Sequence, residues 1–381
     1  MKRKVLFLIE SLAGGGAEKV LSVLLRHLDS NKFEVTLCTV VDTGGYVEEV
    51  KPYVHYTSIL GNPVKRTIIG RLWYRLKYKM VYQILPLKWI YRFLVPKGHD
   101  VEIAFVEGFA TKLLSSFYDK RIKRIAWVHT DLINNPWISE IYATYDEEKK
   151  SYLKYDLVVG VSQTATNAVQ RKYQLKNVTT LYNPIESDVI IKKSQEQISL
   201  PLKKDNVLRL VSVGRFVPQK AYDRLLRIIR RLVSEGYSLE LWLLGDGEQR
   251  LMLENYIREY SLEKVVTLWG FCGNPYPYIS QSDVFVCSSV SEGYSTAVTE
   301  ALILGKPVIT TLCSGMNELL NNGECGLITE NSEEALYLGL KRCLNKPDLL
   351  LKYKKQAVLR GRDFCLEKLI GNIEDFLIKW I

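Results

Sequence analysis

Apolar residues along this chain gather in short continuous runs rather than alternating with polar ones. In the first half the runs are KVLFLIE, VTLCTVV, VEIAFV, RIAWVH and LVVGVS; in the second they are LRLVSVG, LELWLLG, VVTLWGF, DVFVCSS and KPVITT. They are rich in β-branched and aromatic side chains and are bounded by Gly or polar residues, which predicts β-strands. Runs without alternation imply strands covered on both faces. Parallel sheets wrapped by the helices of the longer intervening segments satisfy that requirement. A strand followed by a Gly-rich turn opens each half, near Val5 and near Leu208.

The chain has 381 residues, too many for one comfortable core, so two domains are expected. The stretch NPIESDVIIKKSQEQISLPLKKDN, Asn183 to Asn206, is polar, carries two prolines and sustains no helical period. It predicts a doubly wound α/β domain at 1–186, a linker at 187–206 and a second such domain at 207–360. The closing segment, within 361–381, has Leu, Ile and Trp on one side of an amphipathic helix that could pack back on the first domain. Ligands of open α/β sheets bind beyond the carboxyl ends of the strands. Two such sheets facing each other would enclose a cleft, so residues just after strands deserve inspection.

Composition narrows the class. With 47% apolar and 25% charged residues the chain reads as a globular protein. Seven cysteines, an odd number without CxxC spacing, imply reduced thiols rather than a disulfide frame or a zinc site. Four histidines, none spaced as H-x-x-x-H, make a metal centre unexpected. The start MKRKVLFLIESL suits a first strand better than a signal peptide. The expectation is a cytoplasmic protein with no bound metal or other cofactor.

Five strand-end stretches could carry chemistry. In SEGYSTAVTEALILG, Glu292 precedes a helix that Ser295 or Thr296 could cap, and Glu300 lies inside it. Gly293 lets backbone N–H groups approach a ligand, and the helix start favours an anion. Together they suit a ligand with an anionic group and several hydroxyls. In SVGRFVPQKAYD, Arg215 and Lys220 follow Gly214 and could clamp a diphosphate. In SLAGGGAEKVL, Gly14, Gly15 and Gly16 permit positive φ and close backbone approach, without the GxGxxG dinucleotide spacing. His129 ends the run RIAWVH, where a ring nitrogen could bond a sugar hydroxyl or shuttle a proton. A GDG turn, Gly245 to Gly247, follows LELWLL. Taken singly, each also reads as a capping acid, a solvated cation pair, a plain turn or a structural histidine.

In this order and all at strand ends, these stretches resemble the retaining glycosyltransferases of the GT-B fold, glycosyltransferase family 4. The resemblance rests on the Gly14–Gly16 loop, VGR with Lys220, the GDG turn and the E-x7-E element Glu292–Glu300, with VSQ at Val161 and YNPI at Tyr182 as weaker markers. It spans nearly the whole chain and implies two Rossmann-like domains. By this resemblance Arg215 and Lys220 hold the nucleotide diphosphate and Glu300 holds the ribose. Glu292, with the backbone near Gly293, Tyr294, Ser295 and Thr296, holds the donor sugar; His129 approaches that sugar, and Gly15 and Gly16 shape the donor and acceptor side. The implied reaction transfers a sugar from a nucleotide sugar, often UDP-linked, with retention at the anomeric carbon. Two departures stand out: Ala221 follows Lys220 where the family often has Gly, and Ser295 stands where a glycine is commoner. No D-x-D occurs, which disfavours a metal-dependent enzyme; fixed cations would stabilise the departing diphosphate instead.

The net charge is +10. From Lys51 to His99 the chain carries Lys51, Lys65, Arg66, Arg71, Arg75, Lys77, Lys79, Lys88, Arg92 and Lys97 and not one acid, so this window accounts for the whole surplus. Aromatic residues are interleaved with these cations, and no apolar run there is long enough to span a bilayer. Cationic, aromatic helices of this kind lie in the headgroup plane, so 65–97 is expected to meet an anionic membrane surface. No nucleic-acid motif accompanies the basic stretch. The reading is a peripheral glycosyltransferase at the inner face of the membrane, extending a lipid-linked glycan in bacterial capsule, O-antigen or related polysaccharide synthesis. A nucleotide-sugar 2-epimerase on the same fold and a non-catalytic scaffold subunit are the alternatives.

Overall fold

The computed structural model describes residues 2–13, 15–63, 68–199, 201–202 and 205–380. Gly14 of the glycine loop, Lys65, Arg66 and Thr67 of the basic stretch, and Leu200, Lys203 and Lys204 of the polar stretch lie outside the described residues. The chain divides into two compact units, Met1–Ile185 with Leu366–Ile381, and Glu186–Cys365.

The first unit is built on a seven-stranded parallel sheet. Its strands are β1 (Arg3–Ile9), β2 (Phe33–Thr39), β3 (His55–Ser58), β4 (Val101–Ala104), β5 (Lys123–Val128), β6 (Leu157–Gly160) and β7 (Val178–Thr180). They lie in the order β3-β2-β1-β4-β5-β6-β7. Val5, Leu6, Phe7 and Leu8 of β1 are all fully buried, odd and even positions alike. That is the two-sided cover that the unbroken apolar run required. Each such side chain contributes about 1.5–3 kcal/mol.

The second unit repeats the architecture with six parallel strands. They are β8 (Leu208–Val213), β9 (Leu239–Leu244), β10 (Val266–Gly270), β11 (Val284–Cys287), β12 (Val308–Thr311) and β13 (Gly326–Thr329), in the order β10-β9-β8-β11-β12-β13. In both sheets the winding direction reverses beside the first strand, between β1 and β4 and between β8 and β11.

Three strands, β3, β7 and β13, were not among the predicted runs, and all three are sheet edges. The stretch 187–206 contains a helix, Ser187–Ser194, packed against the helices Tyr276–Ser280 and Thr296–Ile303 of the second unit. Asn274 Nδ2 ties down its end, donating to Lys193 O at 3.0 Å and Glu196 Oε2 at 2.7 Å. The helix Leu366–Trp380 belongs to the first unit, where Glu374 accepts from Asp29 N at 2.7 Å and Lys32 Nζ at 2.6 Å.

The basic stretch forms the helix Ile68–Lys79, a wide helical turn at Met80–Ile84 and, after Pro86, the helix Leu87–Leu94. Tyr82 anchors the turn by donating to Glu10 Oε1 at 2.7 Å. Tyr91 anchors the second helix by donating to the fully buried Glu102 at 2.7 Å. Leu72, Trp73, Leu76, Trp89 and Phe93 remain exposed between the cations. Among the described residues no helix is long and apolar enough to cross a membrane.

Candidate active site

Between β8 and β11 the carboxyl ends of two adjacent strands open a crevice of the kind in which α/β sheets bind ligands. The loop after β8 carries Gly214, Arg215 and Lys220; the loop after β11 carries Glu292 to Ser295. The structure brings Lys220 and Glu292 into contact: Nζ donates to Oε1 at 2.6 Å. Ser289 Oγ donates to the same oxygen at 2.5 Å. Both bonds fall on Oε1, and Oε2 has no partner among the described residues.

Hydrogen bonds to backbone carbonyls fix the two loops together. Val290 N donates to Gln219 O at 2.9 Å, Gln219 Nε2 to Ser291 O at 2.8 Å, and Ser288 Oγ to Lys220 O at 2.8 Å. Burial pulls the Lys220 pKa down, but the charge and hydrogen bond of Glu292, together with Cys287 and Tyr222, outweigh it, and the net shift is upward. Lys220 is therefore a fixed cation, and only one of its three N–H bonds goes to Glu292. A cavity of about 10 Å³, room for one water, lies beside the pair and is also lined by Tyr222, Ser289 and Ser295.

The glycines of this region make room for the pair. A Cβ on Gly214 would stand 2.9 Å from the Tyr222 hydroxyl and 3.3 Å from Cε of Lys220. The GDG turn braces the loop from behind, with Gly214 N donating to Leu244 O and Phe216 N to Asp246 O, each at 2.9 Å. Gly245 sits at φ +145°, and a Cβ there would collide with the Gly214 carbonyl. Ala221, by contrast, is held in the left-handed region at φ +48°, ψ +47°.

Ser295 caps the helix Thr296–Ile303, its Oγ accepting from Val298 N at 3.4 Å. Glu300 is buried within that helix and accepts from the Tyr276 hydroxyl at 3.3 Å. Gly293 is buried and Tyr294 half-buried in the loop, where a Cβ on Gly315 would meet the Gly293 carbonyl at 2.6 Å. Arg215 is exposed, and its guanidinium has no partner among the described residues.

In the first unit His129 directly follows β5. Its Nε2 lies 2.7 Å from the Phe105 carbonyl. A carbonyl only accepts, so Nε2 carries the proton and Nδ1 is left as an acceptor. Burial lowers the His129 pKa, opposed by the charge of Glu107, and the ring is neutral near pH 7. Glu107 holds the segment in place: Oε2 accepts from His129 N at 2.8 Å and Oε1 from Thr130 Oγ1 at 2.6 Å. Glu107 was not singled out in the sequence, although it stands just after the run VEIAFV at a strand end.

Gly15 and Gly16 leave the freedom to take a positive φ unused. Gly15 is the cap of the helix Gly16–His27 at φ −81°, ψ 177°, and neither glycine takes a positive φ. The loop runs straight into a helix, so both adopt conformations open to any residue. Among the described residues no three His, Cys, Asp or Glu side chains converge as a metal site requires.

Two doubly wound parallel sheets, each reversing its winding beside its first strand, are the architecture of the GT-B class. The model for Glycosyltransferase Family 4 matches residues 14–189, and that for Glycosyl transferases group 1 matches residues 193–360. A Campylobacter jejuni relative, N-acetylgalactosamine-N,N'-diacetylbacillosaminyl-diphospho-undecaprenol 4-alpha-N-acetylgalactosaminyltransferase, is 30% identical over 99% of this chain and 100% of its own. Among solved structures, sucrose-phosphate synthase from Thermosynechococcus elongatus superposes with TM-score 0.77 at 17% identity, over 99% of both chains. Anabaena Alr3699/HepE in complex with UDP-glucose superposes with TM-score 0.72 at 18% identity, again over 99% of both. The chain belongs to glycosyltransferase family 4 and is a glycosyltransferase.

Proposed function

We propose that this protein moves a sugar, with retention of its anomeric configuration, from a UDP-linked donor to a lipid-linked glycan at the inner membrane surface. The transfer needs no metal and serves the assembly of a bacterial surface polysaccharide. The observation that carries the reaction is the contact of Lys220 with Glu292, a half-buried fixed cation next to a buried carboxylate with one oxygen to spare. The bond from the anomeric carbon to the diphosphate oxygen breaks, and negative charge collects on that oxygen. Lys220, with two unspent N–H bonds, and Arg215, exposed on the same loop, neutralise it. The acceptor hydroxyl attacks from the face the diphosphate leaves, and its proton passes to the departing phosphate oxygen.

Glu292 Oε2 accepts from hydroxyls of the donor sugar, helped by backbone N–H groups at Gly293, Tyr294, Ser295 and Thr296. Glu300 takes the ribose. His129, with Nδ1 free to accept, takes a further sugar hydroxyl, and Gly15 and Gly16 shape the donor and acceptor side. The UDP-glucose complex of the Anabaena neighbour supports the choice of nucleotide. The name of the Campylobacter relative supports a lipid diphosphate-linked acceptor. The exposed aromatic and cationic side chains of 68–97 support membrane contact.

The test is a panel of UDP- and GDP-sugars incubated with an undecaprenyl diphosphate-linked saccharide in EDTA. Mass spectrometry reads transfer and NMR reads the new linkage. An axial donor bond giving an axial product supports the proposal. An inverted linkage overturns retention, and loss of transfer in EDTA overturns metal independence. A donor altered at C2 without acceptor identifies an epimerase; no turnover of any donor identifies a scaffold.

A further inference from the structure

The first unit holds a hollow of about 550 Å³, and none of its lining residues belongs to the Lys220–Glu292 site. Its walls are the start of the helix Leu87–Leu94, the end of the helix Phe109–Ser115 and the helix Tyr145–Tyr152. Four lysines line it, Lys88, Lys112, Lys150 and Lys154, against two acids, Asp146 and Glu147. Lys112 and Glu147 neutralise each other at 2.9 Å. Lys154 gives one N–H to the Ser115 carbonyl at 3.1 Å and keeps two. Lys88 and Lys150 have no partner among the described residues. Three cations thus remain against Asp146 alone. The hydroxyl of Thr144 accepts from Glu147 N at 3.2 Å, and its own proton is unspent.

We propose that this hollow binds the phosphate of an anionic lipid headgroup. Unpaired ammonium groups around a concavity are the electrostatic complement of a phosphate, and the volume suits a headgroup rather than a bare ion. The surroundings favour lipid over a soluble phosphate ester. Trp89, the residue after Lys88, is 60% exposed, and Phe93, one turn on, is 72% exposed. Exposed aromatics on a cationic helix settle at headgroup depth. The aromatic side chains would then enter the interface while a headgroup fills the hollow beside them. The inference rests on the membrane-surface part of the proposed function and adds a defined site to it.

The test compares two variants of the full chain that remove equal charge: Lys150→Gln with Lys154→Gln in the hollow, and the exposed pair Lys352→Gln with Lys355→Gln outside it, in the second unit. Binding is measured to phosphatidylcholine vesicles with and without phosphatidylglycerol, and a thermal melt confirms that both variants fold. The hollow variant should lose about thirtyfold in affinity for the anionic vesicles, from roughly fivefold per lysine at the surface. The outside variant should lose markedly less. Equal losses overturn the site and leave only diffuse attraction. Failure of the wild-type protein to bind anionic vesicles overturns the membrane reading itself, and the site with it. A second measurement follows the acylation rate of each lysine by mass spectrometry. Phosphatidylglycerol vesicles should slow Lys88, Lys150 and Lys154 while leaving Lys264 unchanged. Equal protection by inorganic phosphate at the same phosphate concentration would assign the hollow to a soluble phosphate compound and overturn the lipid assignment.

Discussion

Lys220 and Glu292, 72 positions apart in sequence, share a hydrogen bond of 2.6 Å at the carboxyl ends of neighbouring strands. Their side chains are only 21% and 8% exposed, so each neutralises a charge that the surroundings would not tolerate alone. Replacing Lys220 by Met strands the carboxylate and should lower unfolding stability by about 3–5 kcal/mol. Adding Glu292→Gln to that variant should recover part of the loss, a coupling that urea denaturation of the two single variants and the double variant would reveal. The same Lys220→Met change should slow sugar transfer by about one to two decades, from the loss of a charge-assisted bond to the leaving group. An unaltered kcat would remove Lys220 from that role.

Glu300 gives a separate handle on the nucleotide. It is buried in the helix Thr296–Ile303 and is reached by the Tyr276 hydroxyl at 3.3 Å. If it holds the ribose, Glu300→Gln should weaken UDP binding by about tenfold or more, the worth of a hydrogen bond to a charged group. Tyr276→Phe should weaken it less, since the carboxylate stays and only its support is lost. Calorimetric titration with UDP separates the two, and wild-type affinity in Glu300→Gln would send the ribose elsewhere.

The central strands were legible because burial on both faces leaves no polar position to interrupt them. The edge strands β3, β7 and β13 pair on one side only and are half-covered, so HYTS, VTT and GLIT carry too little apolar signal to stand out. The helix Ser187–Ser194 was hidden for a related reason: Ile190 is its one buried residue, and its position depends on Asn274, far away in sequence. At the site, the strand-end rule and the family pattern singled out Lys220, Glu292 and Glu300. Neither could say that Lys220 and Glu292 touch, because spacing along the chain does not encode a contact between loops. Glu107 was missed because it lies outside that pattern, though the strand-end rule applies to it equally.

Ala221 offers a test of backbone strain. It occupies φ +48°, a conformation that costs a residue with a Cβ about 1–2 kcal/mol. Glycine would relieve that cost but adds freedom to the unfolded chain, worth about 0.5–1 kcal/mol in the other direction. The net expectation for Ala221→Gly is a gain of about 0.5–1 kcal/mol, read from the urea midpoint. Ala221→Val should lose stability, because a β-branched side chain fits this region worse still. A destabilised glycine variant would show that the left-handed turn is not what limits this loop.

His129 links stability to pH. Burial depresses its pKa in the folded chain below the ordinary value of about 6.5. Under mild acid the unfolded chain therefore binds a proton that the folded chain refuses. Stability should fall as pH drops through about 6.5 and keep falling until the folded pKa is reached, with the contribution fully present above 6.5. His129→Gln should flatten this limb of the urea midpoint against pH, since glutamine does not titrate. Its amide can still donate to the Phe105 carbonyl, so the fold should survive. The same substitution should raise KM for the donor sugar more than it changes UDP affinity, because His129 is assigned to the sugar and not to the nucleotide. An acid limb that persists unchanged in His129→Gln would assign the titration to another group and leave the neutral ring without support.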